Sequence, residues 1–294
     1  LDPPASIAFR KVARMHHIHF GDNLPILKSL PPESVDLIYI DPPFNTGKVQ
    51  QRTQIKTVRS LEGDRTGFGG QRYATLKLGE QSYADLFDDY LAFLEPRLVE
   101  ARRVLKLSGS LYFHIDYREA HYCKVLLDLV FGRECFLNEI IWAYDYGART
   151  RKKWPPKHDT IFLYVRDPAG YYFNYEAIER IPYMAPGLVG PEKAARGKIP
   201  TDTWWHTIVP TNGREKTGYP TQKPLGILRR ILQASCPPDG QVLDFFAGSG
   251  TTGTAALEHG ASFRLIDANP QALQVMARRF ADVPDITWHD WQPS

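Results

Sequence analysis

A glycine-rich turn between an apolar segment and a helical pattern constrains the fold of this 294-residue chain more than any other feature. The apolar segment, Gln241 to Phe246, predicts a β-strand, and a helix is predicted directly after the turn. The spacing G-x-G-x-x-G is formed by Gly248, Gly250 and Gly253. Asp267 lies 19 residues after Gly248, at the end of the next predicted strand. Together these features predict a βαβ unit that binds a nucleoside ligand.

Asp244, at the end of the first of these strands, distinguishes between two classes of ligand. A carboxylate beside the turn would repel the pyrophosphate of a dinucleotide by several kcal/mol at about 4 Å and an intermediate dielectric. The same carboxylate would attract the α-ammonium group of S-adenosylmethionine, which carries no phosphate. The residues therefore favour S-adenosylmethionine as the cofactor, with NAD and a dehydrogenase activity as the alternative from a different class.

The rest of the chain alternates strand-like and helix-like segments, which is typical of an α/β fold with a mostly parallel sheet. Further strands are predicted over residues 35–40, 109–115, 159–165 and 262–267. Helices are predicted over residues 82–106, 117–131, 225–234 and 251–259, and from Asn269-Pro270 onward. Ser82 and Asp85 have the spacing of a capping box, and Pro96 is expected to kink or break the first of these helices.

Two stretches depart from this alternation. Residues 45–81 are polar, glycine-rich and basic, and they predict a long mobile loop. Residues 143–210 lose the helical period and are rich in aromatic residues and prolines, which predicts an inserted region that faces the substrate. Residues 1–142 and 211–294 would then form the catalytic domain.

Composition excludes several classes of protein. An apolar content of 43% and a charged content of 23% exclude a mainly disordered chain. No segment approaches the roughly 18 consecutive apolar residues of a membrane-spanning helix. The three cysteines are too widely spaced for a disulfide framework or a zinc knuckle, which favours a reducing, cytoplasmic setting. Of His16, His17 and His19, strand alternation places only two on one face, so no metal site is expected.

A second motif, Asp41-Pro42-Pro43-Phe44, directly follows the apolar strand predicted over residues 35–40. The prolines fix φ and remove two N–H donors, so the turn is stiff and presents acceptors without competing donors. The Asp41 carboxylate and the Pro42 carbonyl can together hold both hydrogens of an exocyclic amino group, and Phe44 supplies a stacking face. An amino group held in this way directs its lone pair at an electrophile without a covalent intermediate. An ordinary Asp-Pro turn that ends a strand is the structural alternative.

With these motifs in place, the chain resembles the β-class amino-methyltransferases of DNA, in which the catalytic motif precedes the cofactor motif. Four segments carry the resemblance in the family's order: Gly21-Asp22-Asn23, Asp41-Pro42-Pro43-Phe44, Tyr219-Pro220-Thr221-Gln222-Lys223-Pro224 and Asp244-Phe245-Phe246-Ala247-Gly248-Ser249-Gly250-Thr251-Thr252. The resemblance implies a Rossmann-like fold with permuted motif order and an inserted target-recognition region. It also implies transfer of a methyl group from S-adenosylmethionine to a base of double-stranded DNA.

The resemblance assigns roles to individual residues. The target base would be held by Asp41, Pro42, Pro43 and Phe44. The cofactor would be bound by Asp22 at the adenine, by Asp267 at the ribose, by Thr221, Gln222 and Lys223 at the carboxylate, and by Asp244, Phe245, Gly248 and Gly250 at the methionine part. Ser249 and Thr251 are further expected cofactor contacts. Asp-Pro-Pro is the variant that the family mostly associates with N6 of adenine, and N4 of cytosine is the alternative.

Basic residues beside these motifs predict contacts to DNA phosphates. They are Lys48 and Arg52 after the catalytic motif, and Arg149, Arg151, Lys152, Lys153 and Lys157 in the recognition region. A base inside a duplex must leave the helix to reach a pocket, so base flipping is implied. By contrast, His114 and Asp116, at the end of a predicted strand, are interpreted as hydrogen-bonded polar residues. The sequence leaves open a homodimer, a functional pairing with a restriction endonuclease, and a non-catalytic nucleic-acid-binding relative.

Overall fold

The computed structural model describes residues 15–43, 48–59, 65–66, 72–85, 89–147, 149–210 and 213–290, with the backbone alone between residues 48 and 85. The chain divides into two compact units, Pro43–Phe93 and the combination of Leu1–Pro42 with Leu94–Ser294. The strands are β1 His16–Phe20, β2 Val35–Ile40, β3 Lys48–Arg59, β4 Arg65–Thr66, β5 Arg72–Asp85, β6 Leu105–Asp116, β7 Phe136–Ala143, β8 His158–Val165, β9 Thr203–Trp205, β10 Gln241–Asp244, β11 Ser262–Asp267 and β12 Ile286–His289. The α-helices are α1 Asn23–Ser29, α2 Tyr90–Val104, α3 Ala120–Phe131, α4 Pro191–Arg196, α5 Leu225–Ser235, α6 Thr251–His259 and α7 Pro270–Arg279.

The larger unit is built on a nine-stranded sheet in the order β12-β1-β11-β10-β2-β6-β8-β7-β9. All neighbouring pairs from β12 to β6 are parallel. Strand β8 runs antiparallel to both β6 and β7, and β9 is parallel to β7. The predicted α/β class with a mostly parallel sheet is therefore confirmed.

The core lies on both sides of the central strands. Every residue of β2 is buried, so both faces of this strand are covered. Leu37 and Tyr39 pack in one apolar cluster with side chains of α5 and α7, including Leu228, Ile231 and Met276. Alternating residues of β2 face the other side and are equally buried, as expected for a central strand of a doubly covered sheet. Within the described part of the chain, no helix has the length and apolar character to cross a membrane.

The prediction of a loop over residues 45–81 is wrong for residues 48–59, 65–66 and 72–81, and the other residues of this range lie outside the described part of the smaller unit. This unit forms a three-stranded antiparallel sheet in the order β3-β5-β4. The segment of β3 contains threonine, valine and isoleucine, which favour strands and outweigh the polar composition that suggested a loop.

The helix predicted over residues 82–106 is also corrected. Ser82 and Asp85 lie in β5, and α2 begins at Tyr90. Pro96 lies inside α2 without ending it. Leu94 and Leu98 are fully buried at helical spacing on either side of this proline, and their burial stabilises a helix that lacks one backbone hydrogen bond.

The predicted inserted region, residues 143–210, is not a separate compact unit, because it lies within the larger one. It contributes β8 and β9 to the main sheet. The pairing of β8 with both β6 and β7 fixes the beginning of this region to the catalytic half of the sheet. Recognition of DNA by this region stays a prediction.

Candidate active site

The two sequence motifs meet at the place where the strand order of the sheet reverses. Strand β10 neighbours β2, and Leu37 and Ile38 align with Val242 and Leu243. From this pair the chain proceeds to β11 on one side and to β6 on the other. Ligands of open α/β sheets bind beyond the carboxyl ends of the strands at such a point. Asp41 directly follows β2 and Asp244 ends β10, so the predicted catalytic and cofactor motifs share this crevice.

The glycine turn after β10 needs residues without a side chain at two positions. Gly248 and Gly250 have φ values of +51° and +73°, in the left-handed region that favours glycine. A Cβ atom on Gly250 would lie 2.8 Å from Cγ of Met276, and one on Gly248 would lie 3.1 Å from Cε1 of Tyr219. The turn is therefore held between α7 and the Tyr219 ring, and α6 begins directly after it.

Hydrogen bonds tie this turn to the ends of two neighbouring strands. The backbone N–H of Gly248 donates to Oδ2 of Asp267 at 2.7 Å. The Asn23 side chain donates to the carbonyl of Phe245 at 2.6 Å, and the Gly21 N–H donates to the Asp267 carbonyl at 3.1 Å. The carboxyl ends of β1, β10 and β11 thus form one connected rim around the crevice.

Asp244 is buried and accepts two hydrogen bonds from the turn that follows it. Thr252 Oγ1 donates to Oδ2 at 2.6 Å, and the Phe246 N–H donates to Oδ1 at 3.0 Å. Burial raises the pKa of Asp244 to about 7, and the nearby Asp41 and Asp267 carboxylates raise it further against these two hydrogen bonds. Burial also raises the pKa of Asp267 to about 6. A concentration of carboxylates in a poorly solvated crevice is suited to binding a cation.

Asp41 has one occupied and one unoccupied carboxylate oxygen. Lys223 forms an ion pair and a hydrogen bond with Oδ2. Oδ1 is buried and has no hydrogen-bond partner among the described residues. Since an unsatisfied buried acceptor is costly, this oxygen is suited to accept a hydrogen bond from a ligand. The contact of Lys223 with the cofactor carboxylate stays a prediction, and in this structure the ammonium group pairs with Asp41 of the catalytic motif.

A buried polar network near Asp41 contains, besides His114, residues that the sequence does not indicate. Tyr39 OH is 2.8 Å from Nδ1 of His114, and Nε2 of His114 is 3.2 Å from Oδ2 of Asp159. Tyr144 OH donates to Oδ1 of Asp159 at 3.1 Å. Although burial opposes it, the pKa of Asp159 is lowered by His114, by the Lys223 charge and by Tyr144. The interpretation of His114 as a hydrogen-bonded residue is confirmed, and Tyr39 and Asp159 join it.

Asp22 caps α1 and pairs with Arg97, which no sequence motif indicates. Oδ1 of Asp22 accepts from the Leu24 N–H at 3.1 Å and from Nη2 of Arg97 at 2.8 Å. Nε of Arg97 donates to Oδ1 of Asn23 at 2.6 Å. Asp22 remains more than half exposed, with its second oxygen available to a ligand. The Gly-Asp-Asn motif was the signal that could have identified Asn23 as well.

The remaining predicted cofactor residues have mainly local partners. The Gln222 side chain accepts from the Thr217 N–H at 2.8 Å and donates to the Glu215 carbonyl at 2.6 Å. These bonds stabilise the loop between residues 215 and 222. Ser249 and Thr251 are buried and their hydroxyls lie 3.0 Å apart. These contacts fix the backbone around the crevice. Thr221 is exposed.

The structure describes only some of the residues that are predicted to stack on the base or to contact DNA. Phe44 lies outside the described residues, and the side chains of Lys48 and Arg52 are not described either. Exposed side chains are found at Arg149, Arg151, Lys152 and Lys153. Lys157 is different, because its ammonium group lies 3.6 Å from Oδ1 of Asp145 and donates to the Gly147 carbonyl.

The histidines of β1 lie beside the edge strand β12, and strands β11 and β10 separate β1 from β2. His17 Nδ1 is 3.1 Å from Nε2 of His289, and the rings of His19 and His289 are stacked at 4.0 Å. Burial lowers the pKa of His17 to about 4, with further lowering by the Arg264 charge. In the described ranges, no group of three or more His, Cys, Asp or Glu side chains is arranged so that it could hold a metal ion.

Comparison with known proteins gives the same family from several directions. Residues 35–278 match the family model N6_N4_Mtase, described as DNA methylase. The DNA adenine methyltransferase YhdJ of Escherichia coli (strain K12) is 32% identical over 267 residues, which cover 88% of this chain and 80% of YhdJ. The type II methyltransferase M.ScaI of Streptomyces caespitosus is 26% identical over 260 residues, with coverage of 83% and 74%.

Two solved structures share the fold. The PvuII DNA methyltransferase (cytosine-N4-specific) superimposes with a TM-score of 0.62 at 16% identity, over 92% of this chain and 88% of that one. The M1.HpyAVI–SAM complex gives a TM-score of 0.57 at 20% identity, over 90% and 99% of the two chains. At these identities the likeness concerns the architecture of the sheet and its helices.

Proposed function

The chain belongs to the N6_N4_Mtase family of DNA methylases, a family of S-adenosylmethionine-dependent enzymes, and we propose that it methylates N6 of adenine in double-stranded DNA. The DNA methyltransferase activity and the cofactor follow from the family. The choice of adenine, the duplex substrate and the roles of single residues are our proposal, as is the assignment of target recognition to residues 143–210.

One observation carries the catalytic assignment, namely the free Oδ1 of Asp41. It is buried, it has no hydrogen-bond partner in the described part of the chain, and its twin oxygen is held by Lys223. An exocyclic amino group would donate one hydrogen to Oδ1 and the other to the Pro42 carbonyl. This arrangement orients the nitrogen lone pair and stabilises the positive charge that develops on the nitrogen during transfer.

The residues around the glycine turn fit the cofactor. S-adenosylmethionine supplies a methyl group on a positively charged sulfur, and its methionine part ends in an ammonium group. Asp244 is buried with a raised pKa and lies close enough to Asp41 and Asp267 to be affected by their charges. Ionised Asp244 would bind the ammonium group, and Asp267 would accept hydrogen bonds from the ribose. Asp22, at the end of β1, would accept from the adenine amino group.

Two features favour adenine over cytosine as the target. The motif reads Asp-Pro-Pro, the variant associated with adenine, and the relative YhdJ is named a DNA adenine methyltransferase. The test is expression of the chain in a host without DNA methylation, followed by digestion of its DNA and mass spectrometry of the nucleosides. N6-methyladenine is the expected product. N4-methylcytosine in its place would contradict the choice of base and leave the mechanism standing.

Cofactor affinity is expected to increase with pH. In the free protein Asp244 is mostly protonated below its pKa of about 7, whereas the bound ammonium group requires the ionised form. We expect the Kd for S-adenosylmethionine to fall about tenfold or more between pH 5.5 and pH 7.5. Calorimetric titration at both pH values measures this change, and Asp244→Asn should reduce it. An identical wild-type Kd at both values would separate Asp244 from the cofactor.

Lys223 is expected to act on catalysis more than on cofactor affinity. Lys223→Gln removes the charge that holds Oδ2 of Asp41, so the carboxylate loses its fixed orientation. We expect kcat to fall about tenfold or more, with a change in cofactor Kd of less than about threefold. Lys193→Gln, on the exposed helix α4, is the matched control. A larger loss of affinity than of kcat would restore Lys223 to the cofactor carboxylate.

A further inference from the structure

A basic and aromatic segment, residues 149–154, lies at the same edge of the sheet as Asp41 and Asp244. It belongs to the connection between β7 and β8, which is closed by a hydrogen bond from the Tyr144 N–H to the Lys157 carbonyl at 3.0 Å. Strand β7 is antiparallel to β8, which is antiparallel to β6, and β6 is parallel to β2. The carboxyl end of β7 therefore lies at the edge of the sheet where β2 ends and Asp41 follows. The connection begins at this edge.

Within the described part of the chain, Trp154 and the four cations before it make no side-chain contact that stabilises the fold. Trp154 is 93% exposed, with no ring contact or hydrogen bond of its indole to other described residues. The four cations before it form no ion pair with described residues; they are Arg149, Arg151, Lys152 and Lys153. By contrast, the indoles of Trp142 and Trp204 are buried and donate to backbone carbonyls. Trp154 is thus available to a partner.

The backbone presents Trp154 in a restricted conformation. Pro155 and Pro156 follow it directly, and a residue before proline is limited to extended conformations. The prolines also fix their own φ angles and so stiffen the segment. A stiff, exposed indole flanked by unpaired cations has the chemistry of a nucleic-acid contact, since cations bind phosphates and aromatic rings stack on bases.

We propose that Trp154 enters the DNA duplex beside the target adenine and stacks on the bases that the adenine leaves behind. This inference rests on the proposed function and adds a residue to it. Extrusion of a base unstacks its neighbours, and an inserted apolar side chain replaces part of the lost stacking. The cations from Arg149 to Lys153 hold the phosphates beside the insertion point.

The test compares two duplexes that contain the site methylated by the wild-type protein, as identified by sequencing of modified DNA. In one the target adenine faces thymine, and in the other it faces an abasic position, where extrusion needs little help. Trp154→Ala should lower kcat/KM roughly 10- to 100-fold on the paired duplex, and less than about threefold on the abasic one. Trp154→Phe should recover most of the loss.

The control is Tyr171→Ala. Tyr171 is exposed and follows the carboxyl end of β8, at the opposite edge of the sheet, so its removal should leave both substrates unaffected. An unchanged Tm and cofactor Kd for Trp154→Ala show that the variant is folded. Equal losses on both duplexes, or no loss on either, would overturn the proposed role of Trp154 and leave the proposed function standing. A wild-type protein that methylates neither duplex would overturn the proposed function and this inference with it.

Discussion

Asp41→Ala is expected to lower kcat for DNA methylation about 100- to 1000-fold or more, with the Kd for S-adenosylmethionine changed by less than about threefold. The carboxylate acts on the target base through its free oxygen, whereas the proposed cofactor contacts come from other residues. Single-turnover methylation and calorimetric cofactor binding on the same preparation measure the two effects separately.

The alanine variant also removes the ion pair between Asp41 and Lys223 in a poorly solvated position, which threatens stability. Asp41→Asn serves as the second variant, because it keeps the shape of the side chain and removes its charge. It should also lose transfer, since its amide can turn a donor toward the base. A parallel loss of cofactor affinity in both variants would contradict the assignment of Asp41 to the base.

Asp244→Ala is expected to weaken binding of S-adenosylmethionine by about 2–5 kcal/mol, which is roughly 30-fold or more in Kd. The proposed partner of this carboxylate is the cofactor's ammonium group, and the site has little water to replace the lost interaction. Asp282→Ala, at an exposed position after α7, is the control. Unchanged affinity in Asp244→Ala would remove this residue from the cofactor site.

Ionised Asp244 favours cofactor binding, but it destabilises the cofactor-free protein. Its pKa in the folded state is about 7, above the ordinary value of 3.8, so its ionisation favours the unfolded chain. This loss of stability is absent below about pH 4 and develops as pH rises toward 7. Asp244→Asn, which keeps the size of the side chain without the charge, should therefore melt at the same or a higher temperature than wild type at pH 8. A clear decrease in Tm would contradict this.

The sequence predicted those parts of the fold that local signals define. The helix predicted over Thr251–His259 has the same bounds in the structure, because glycines flank it on both sides. The N-cap predicted at Asn269 is confirmed by its hydrogen bond from the Gln271 N–H. Where a polar segment pairs with a distant one, as β3 does with β5, local composition gave the wrong structure.

The candidate site likewise contains residues that local signals predict and contacts that only the fold creates. The sequence alone predicts that Asp41 and Asp244 lie close together, since both lie at the ends of predicted parallel strands. The contacts of Lys223 with Asp41, and of Tyr39 with His114, join residues 182 and 75 positions apart. Pairs at such separations are fixed by strand order and side-chain packing, and no local pattern in one sequence reports them.

We infer that the crevice between β2 and β10 is the place where a methyl group is transferred to adenine. The most direct measurement is incubation of wild-type protein and Asp41→Ala with S-adenosylmethionine labelled in its methyl group and with mixed genomic DNA, followed by nucleoside analysis. The expected result is label in N6-methyladenine with wild type and none with the variant. Equal label with both proteins, or no label in DNA from a wild-type protein that binds the cofactor, would contradict this assignment of the crevice.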